Sequence, residues 1–232
     1  MSIYAIGDLH LSFSEGVEKP MDMFGPEWVN HAERLKENWT LTVSEQDTVI
    51  LAGDISWGLK LPETLPDLDW IDALPGKKVI IKGNHDLWWT SINKLSNLYE
   101  GIHFVQNNYY EAEGLAICGT RGWICPGDND FTLHDEKIYK RELMRLKFSL
   151  EEAKKAGFET ILGALHFPPT NDKMQGSGFT ELFTEYGVKK VVYGHLHGKE
   201  SFSKGLAAVF NGVSYHLVSL DKLKCEPLRI WE

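Results

Sequence analysis

The stretch Val79-Ile80-Ile81-Lys82-Gly83-Asn84-His85-Asp86 decides the reading of this chain. An apolar run of strand type ends in an amide, an imidazole and a carboxylate standing side by side. In open α/β sheets, ligands are bound in the crevice beyond the carboxyl ends of the strands. The same grammar recurs four times. Ile3-Tyr4-Ala5-Ile6 runs into Gly7-Asp8-Leu9-His10, and Val49-Ile50-Leu51-Ala52 into Gly53-Asp54. Ile161-Leu162-Gly163-Ala164-Leu165 runs into His166, and Val191-Val192-Tyr193 into Gly194-His195-Leu196-His197. Five apolar runs thus each deliver metal-capable groups at their ends.

Between these runs the pattern is helical. Trp28, Ala32, Leu35 and Trp39 form a stripe of helical period, so a helix opening at Pro26-Glu27 is predicted. Pro62 to Ala73 reads as a short, poorly regular helix, and 90–99 as a helical stretch. A long helix is predicted from Leu133 to Ala156, with Leu143, Leu146, Leu150 and Ala153 on one face and Gly157 as its stop. Phe179, Leu182, Phe183 and Tyr186 mark another. Short strands are expected near His103–Val105 and Leu115–Gly119, then at Ala207–Phe210, Ser214–Ser219 and Leu228–Trp231, with Asn211-Gly212 as a hairpin turn. Segments 12–26, 122–130 and 171–178 read as loops. No linker or repeat interrupts residues 1–232, so one domain is expected.

The chain has 232 residues, 43% hydrophobic and 25% charged, as in ordinary soluble proteins. No run of about 18 apolar residues is present, and the start lacks the n- and h-regions of a signal peptide, so neither a membrane span nor export is expected. Cys118, Cys125 and Cys225 match no zinc spacing, and an odd count suits reduced thiols in the cytoplasm. A net charge of −9 argues against extended nucleic-acid or anionic-membrane binding. It leaves room for an anionic substrate, because bound cations reverse the local sign.

On an extended backbone Asp8 and His10 point to one face, as do His195 and His197, so each pair is placed to hand one ion two ligands. Asp54, Asn84 and His166 add further donors. Imidazole, carboxylate and amide without thiolate suit Mn²⁺, Fe or Zn²⁺. Seven such groups exceed one tetrahedral shell, which points to two divalent ions. His31, His103, His134 and His216 read as structural or surface groups. Among the tryptophans near these blocks, core packing is the ordinary reading and an aromatic wall the functional one. Trp57 and Arg121 are the candidate substrate contacts, with a salt bridge the competing reading for Arg121. Arg141 and Arg145 read as a solvated helix face.

In order and approximate spacing, Asp8-x-His10, Gly53-Asp54, Gly83-Asn84-His85-Asp86, His166 and Gly194-His195-x-His197 resemble the calcineurin-like metallophosphoesterases. The resemblance spans residues 7 to 197. It implies a four-layer α/β/β/α sandwich, two mixed sheets flanked by helices. It further implies that Asp8, His10 and His197 hold one ion, that Asn84, His166 and His195 hold the other, and that Asp54 bridges them. The implied activity is in-line hydrolysis of a phosphomonoester or phosphodiester, with His85 protonating the leaving oxygen or stabilising the phosphoryl oxygens. Gly53-Asp54-Ile55-Ser56-Trp57-Gly58 departs from the protein-phosphatase branch, where Trp57 would be an acid and Gly58 a phosphate-binding arginine. A small-molecule or nucleotide substrate is therefore expected rather than a phosphoprotein. Asp86 is the candidate partner of His85 by adjacency. A nuclease would need a basic groove, and a silent interaction scaffold would be expected to have lost some of these groups. A metal-dependent hydrolase acting on another bond is a weaker alternative.

Overall fold

Strand formation follows the apolar runs. β1 (Ile3–Ile6), β2 (Thr48–Leu51), β3 (Lys77–Ile81) and β4 (Ile102–Val105) are short, and β2 is buried along its whole length. Strands covered on both faces read as continuous apolar runs, as these do. They pair in parallel, Ile3 beside Thr48, Thr48 beside Lys77 and Lys78 beside Ile102. β11 (Leu228–Trp231) adds antiparallel to β1, so the first sheet has the order β11-β1-β2-β3-β4. The structure is a computed structural model and describes all residues, 1–232.

The second sheet has the order β5-β6-β7-β8-β10-β9. Its members are β5 (Tyr109–Ala112), β6 (Leu115–Thr120), β7 (Ile161–Leu165), β8 (Lys190–Tyr193), β9 (Val209–Phe210) and β10 (Val213–Leu217). The inner strands β6, β7, β8 and β10 are parallel, and antiparallel β5 and β9 close the edges. Strand alternation then builds three cores. Ile3, Ala5, Ile50, Val79 and Ile81 meet Ile117, Leu162, Ala164 and Val192 between the sheets. On the outer face of the first sheet, α1 (His31–Thr42) and α2 (Leu61–Asp72) set Leu35, Trp39, Leu68 and Ile71 against Val49, Leu51 and Ile80. Two short helices, α3 (Ile92–Leu95) and α6 (Gly198–Phe202), lie in connections. On the second sheet, α4 (Leu133–Lys155) and α5 (Gly178–Glu185) set Leu146, Leu150, Phe179 and Phe183 against Ala116, Cys118 and Val191. The result is an α/β/β/α sandwich of two mixed sheets.

Several boundaries differ from the sequence expectation. Pro26–Trp28 is a separate 3₁₀ turn, and α1 begins at His31 behind a left-handed Asn30. The segment 61–72 is a regular twelve-residue helix despite Pro66. Its start is held by Glu63 Oε2, which accepts from Leu59 N and Lys60 N, while Leu68 and Ile71 are buried. Only α3 forms within 90–99. β5, unanticipated, pairs with β6 across Glu113-Gly114, both at positive φ, the primed turn that suits a tight hairpin.

Candidate metal centre

All five polar strand ends converge on one edge of the sandwich, where the backbone is unusual. Asp8 (φ 60), His10 (φ 46), Asp54 (φ 51) and His195 (φ 73) are all left-handed non-glycine residues. Such conformations cost of order 1–3 kcal/mol each and gather at functional sites. The extended-backbone premise therefore fails here, and its pairing holds only in part. Asp8, His10 and His197 form one group whose ligand atoms lie within 4.8 Å of one another; Asp54, His166 and His195 form a second. His195 and His197 are thus divided between two groups, because the left-handed turn at His195 swings its side chain away from the pleat.

Asp54 stands between the groups. Its Oδ2 lies 3.9 Å from His10 Nε2 and 3.4 Å from His166 Nε2, and its Oδ1 accepts from His85 N at 2.8 Å. Asn84 joins the second group, its Oδ1 2.7 Å from His166 Nε2. His166 Nδ1 sits 2.9 Å from the Ala52 carbonyl, to which it donates, and this turns Nε2 toward the cluster. Asp8 accepts the His195 amide on both oxygens at 3.0 Å and lies 3.7 Å from His197 Nε2. Close approach explains two glycines: a Cβ on Gly53 would stand 2.7 Å from His166 Nδ1, and one on Gly83 would collide with Asp54 N and Oδ1.

Burial drives His10 and His195 down to about 3, which favours the neutral imidazole, the form that can ligate a cation; His195 Nδ1 lies 3.2 Å from His166 Nε2. Burial alone would also lower His166, but Asp54 and Asp8 outweigh it and raise the group to about 9. Burial pushes Asp8 up to about 6. Asp54, surrounded by His166 and His10, is held well below the usual carboxylate range in spite of burial. A cation fits this donor set. His10 Nδ1 is buried with no hydrogen-bond partner, two imidazoles face the Asp54 carboxylate, and the Asn84 amide oxygen faces one of them, with no sulfur in the set.

Outside the groups, His85 is exposed and packs its ring 4.6 Å from Trp57 and 5.7 Å from His10. Trp57 stacks on His10 at 4.7 Å and 23°, and donates its indole N–H to Met21 Sδ. These residues line a cleft of about 830 Å³ whose wall also includes Asp54, His195 and His197. Trp57 and His85 also border a second recess of about 560 Å³ formed with Glu15, Lys19 and Leu87.

Two expected roles change. Asp86 does not hold the His85 ring. It is fully buried, and its oxygens accept from Asp54 N, Gly83 N, Ile55 N, Ser56 N and Trp88 Nε1 at 2.7–3.4 Å. It ties the loop carrying Asp54 to the loop carrying Asn84. Arg121 is not among the cleft-lining residues. It lies 3.5 Å from buried Glu142 and stacks on Trp123 at 4.4 Å, while its carbonyl accepts the amides of His166 and Phe167. Arg141, still half exposed, and Arg145 reach the same Glu142 oxygen at 3.4 and 2.9 Å, so the solvated face is also tied to a buried carboxylate.

Asp221 escaped the sequence reading. Its Oδ1 accepts from His197 Nδ1 at 3.1 Å and its Oδ2 from Gly198 N at 3.0 Å. A carboxylate can only accept here, so the proton sits on Nδ1 and Nε2 faces Asp8. The signal was present: Leu217-Val218 into Ser219-Leu220-Asp221 is a sixth apolar run ending in polar groups.

Residues 1–199 match the family model described as calcineurin-like phosphoesterase. The chain belongs to the calcineurin-like phosphoesterase family. The family is metal-dependent, and the two buried groups are the phosphoesterase's candidate ion-binding clusters. Asp221 lies beyond the matched residues. Gene 66 protein of Mycobacterium phage D29 is 34% identical over 104 residues, 44% of this chain, and the match spans 50% of that relative's length. Among solved structures, phosphopantetheinyl hydrolase from Mycobacterium tuberculosis superposes with a TM-score of 0.57 at 17% identity, covering 94% of this chain and 88% of that one. A protein of unknown function from Aquifex aeolicus gives 0.56 at 16%, covering 98% and 95%. At such identities these two share the fold. No helix is long and apolar enough to cross a membrane.

Proposed function

We propose that this phosphoesterase holds two divalent cations and hydrolyses the phosphoester bond of a small molecule or nucleotide in the cleft above them. The carrying observation is the position of Asp54, whose one oxygen faces His10 of the first group and His166 of the second. Asp8, His10 and His197 would hold one ion, Asn84, His166 and His195 the other, with Asp54 shared. When bound, paired ions of Mn²⁺, Fe or Zn²⁺ type lower the pKa of water and neutralise charge on phosphoryl oxygens.

The chain's own groups do the rest. His85 sits at the cleft wall with its ring free of any protein hydrogen bond, so it is placed to give a proton to the leaving oxygen, work worth about 10²–10⁴-fold. Trp57 fixes that ring by packing, and His85 N is anchored on Asp54, which couples the acid to the metal-binding loop. Asp86 keeps the Asp54 and Asn84 loops in register through its donors. The phosphopantetheinyl hydrolase neighbour is named for a hydrolase, which accords with this reading.

The test is hydrolysis of a nitrophenyl monoester and diester with added Mn²⁺, in the natural chain and in Asp54→Asn. Metal-dependent turnover that collapses in the variant is expected. Equal turnover in the two proteins would sink the proposal.

A further inference from the structure

The cleft that borders His10, Asp54, His195 and His197 is also lined by Trp28, Phe24 and Phe202 and by Lys199, Lys222 and Lys224, which together make an aromatic and cationic limb of the same cavity. Trp28 stands edge-on to both His197 (5.3 Å) and His10 (5.8 Å), so the apolar wall begins at the first cluster itself. Phe24 is 65% exposed at the mouth, a large aromatic left open to water. The three lysines come from two separate segments. Lys222 Nζ rests over the Phe202 ring at 5.1 Å.

None of these three ammonium groups lies within 4.0 Å of a carboxylate, whereas Lys140, Lys147, Lys155 and Lys204 each do. Glu27 and Glu200 also line the limb, and Asp221 is engaged by His197 and Gly198. Three lysines gathered on one cavity are a local concentration of positive charge in a chain of net charge −9. A low-dielectric wall beside them strengthens their pull on an anion.

We propose that this limb is a subsite for a second anionic group of the substrate. The organic part of the phosphoester would carry a planar or apolar body, laid against Trp28, Phe24 and Phe202, and end in a phosphate or carboxylate held by Lys199 and Lys222. The inference rests on the phosphoesterase reading, because it places the scissile phosphate over the clusters.

Adenosine 3′,5′-bisphosphate and adenosine 5′-monophosphate are the probes, compared on the Mn²⁺-loaded protein by calorimetric Kd and by kcat/KM. The natural chain should prefer the bisphosphate by about tenfold, the size of one or two exposed charge-assisted contacts. That preference should fall toward unity in Lys199→Ala/Lys222→Ala and shrink as salt is raised from 50 to 500 mM. In Lys199→Arg/Lys222→Arg it should be retained. Equal affinity for the two nucleotides in the natural chain overturns the subsite, as does an undiminished preference in the double alanine variant. If neither nucleotide nor nitrophenyl phosphate is hydrolysed while the lysine-dependent binding preference persists, the hydrolase reading fails and the anion subsite stands.

Discussion

Replacing Asp221 by alanine removes two contacts, the acceptor of His197 Nδ1–H at 3.1 Å and that of Gly198 N at 3.0 Å. His197 is then free to rotate and to move its proton to Nε2, the atom that faces Asp8 at 3.7 Å. Loss of such an outer partner typically weakens metal binding about 10–100-fold, or about 1.4–2.7 kcal/mol. His197 is 33% exposed, so water can replace part of what Asp221 does, which favours the lower end, about tenfold. Asp221→Asn keeps the shape and one acceptor oxygen, and should cost about threefold. The assay is competition of the apo protein with a fluorescent chelator for Mn²⁺ or Zn²⁺, fitted to two sites, beside a melting curve of the metal-free protein. One site should weaken while the Asp54, His166 and His195 site holds. Unchanged affinity at both sites would refute the reasoning. So would a drop in apo Tm beyond about 8 °C, the equivalent of roughly 2–4 kcal/mol at this chain length, because a folding defect would then account for the loss.

Metal affinity should rise with pH. His166 titrates at about 9 in the metal-free protein, so below that pH a proton must leave before an ion can enter, and the affinity climbs about tenfold per unit. Calorimetry in buffers of different ionisation enthalpy should find about one proton released near pH 7.5, and a flat pH dependence would contradict this. His85→Ala should cut turnover about 10²–10⁴-fold with both ions still bound, since His85 is in neither cluster of ligand atoms; metal loss would make it a ligand instead of an acid. Glu142→Gln unbalances three arginines around a fully buried carboxylate that also accepts from Thr120 Oγ1 at 2.6 Å. Stability should drop by roughly 3 kcal/mol in a urea melt, and a change under about 1 kcal/mol would show that solvent already screens the cluster.

The five strands and the donors at their ends were legible because strand formation and ligand chemistry are local. A buried parallel strand must be apolar throughout, so the polar residue that ends it stands out in the sequence. What lay hidden was direction. At Asp8, His10, Asp54 and His195 the chain turns left-handed, and a period-two projection no longer says where a side chain points. Adjacency misled in the same way at Asp86, whose neighbour in sequence is His85 but whose partners are amides of the loop at 54–56. Arg121 looked like a phosphate ligand because its chemistry suits one, yet a helix packed on the second sheet places Glu142 within its reach.

By itself the sequence determined the strand runs, the two-sheet resemblance and the imidazoles, carboxylates and amide of the two groups, though not Asp221 behind them. Those follow from short-range spacing and side-chain chemistry. The resemblance implied that His195 and His197 part company and that Asp54 stands between the groups; the tertiary structure supplied the distances, and only it set Asp221 behind His197. These are distances between strands and loops far apart in the chain, set by how two sheets stack and how the loops at one edge fold over each other.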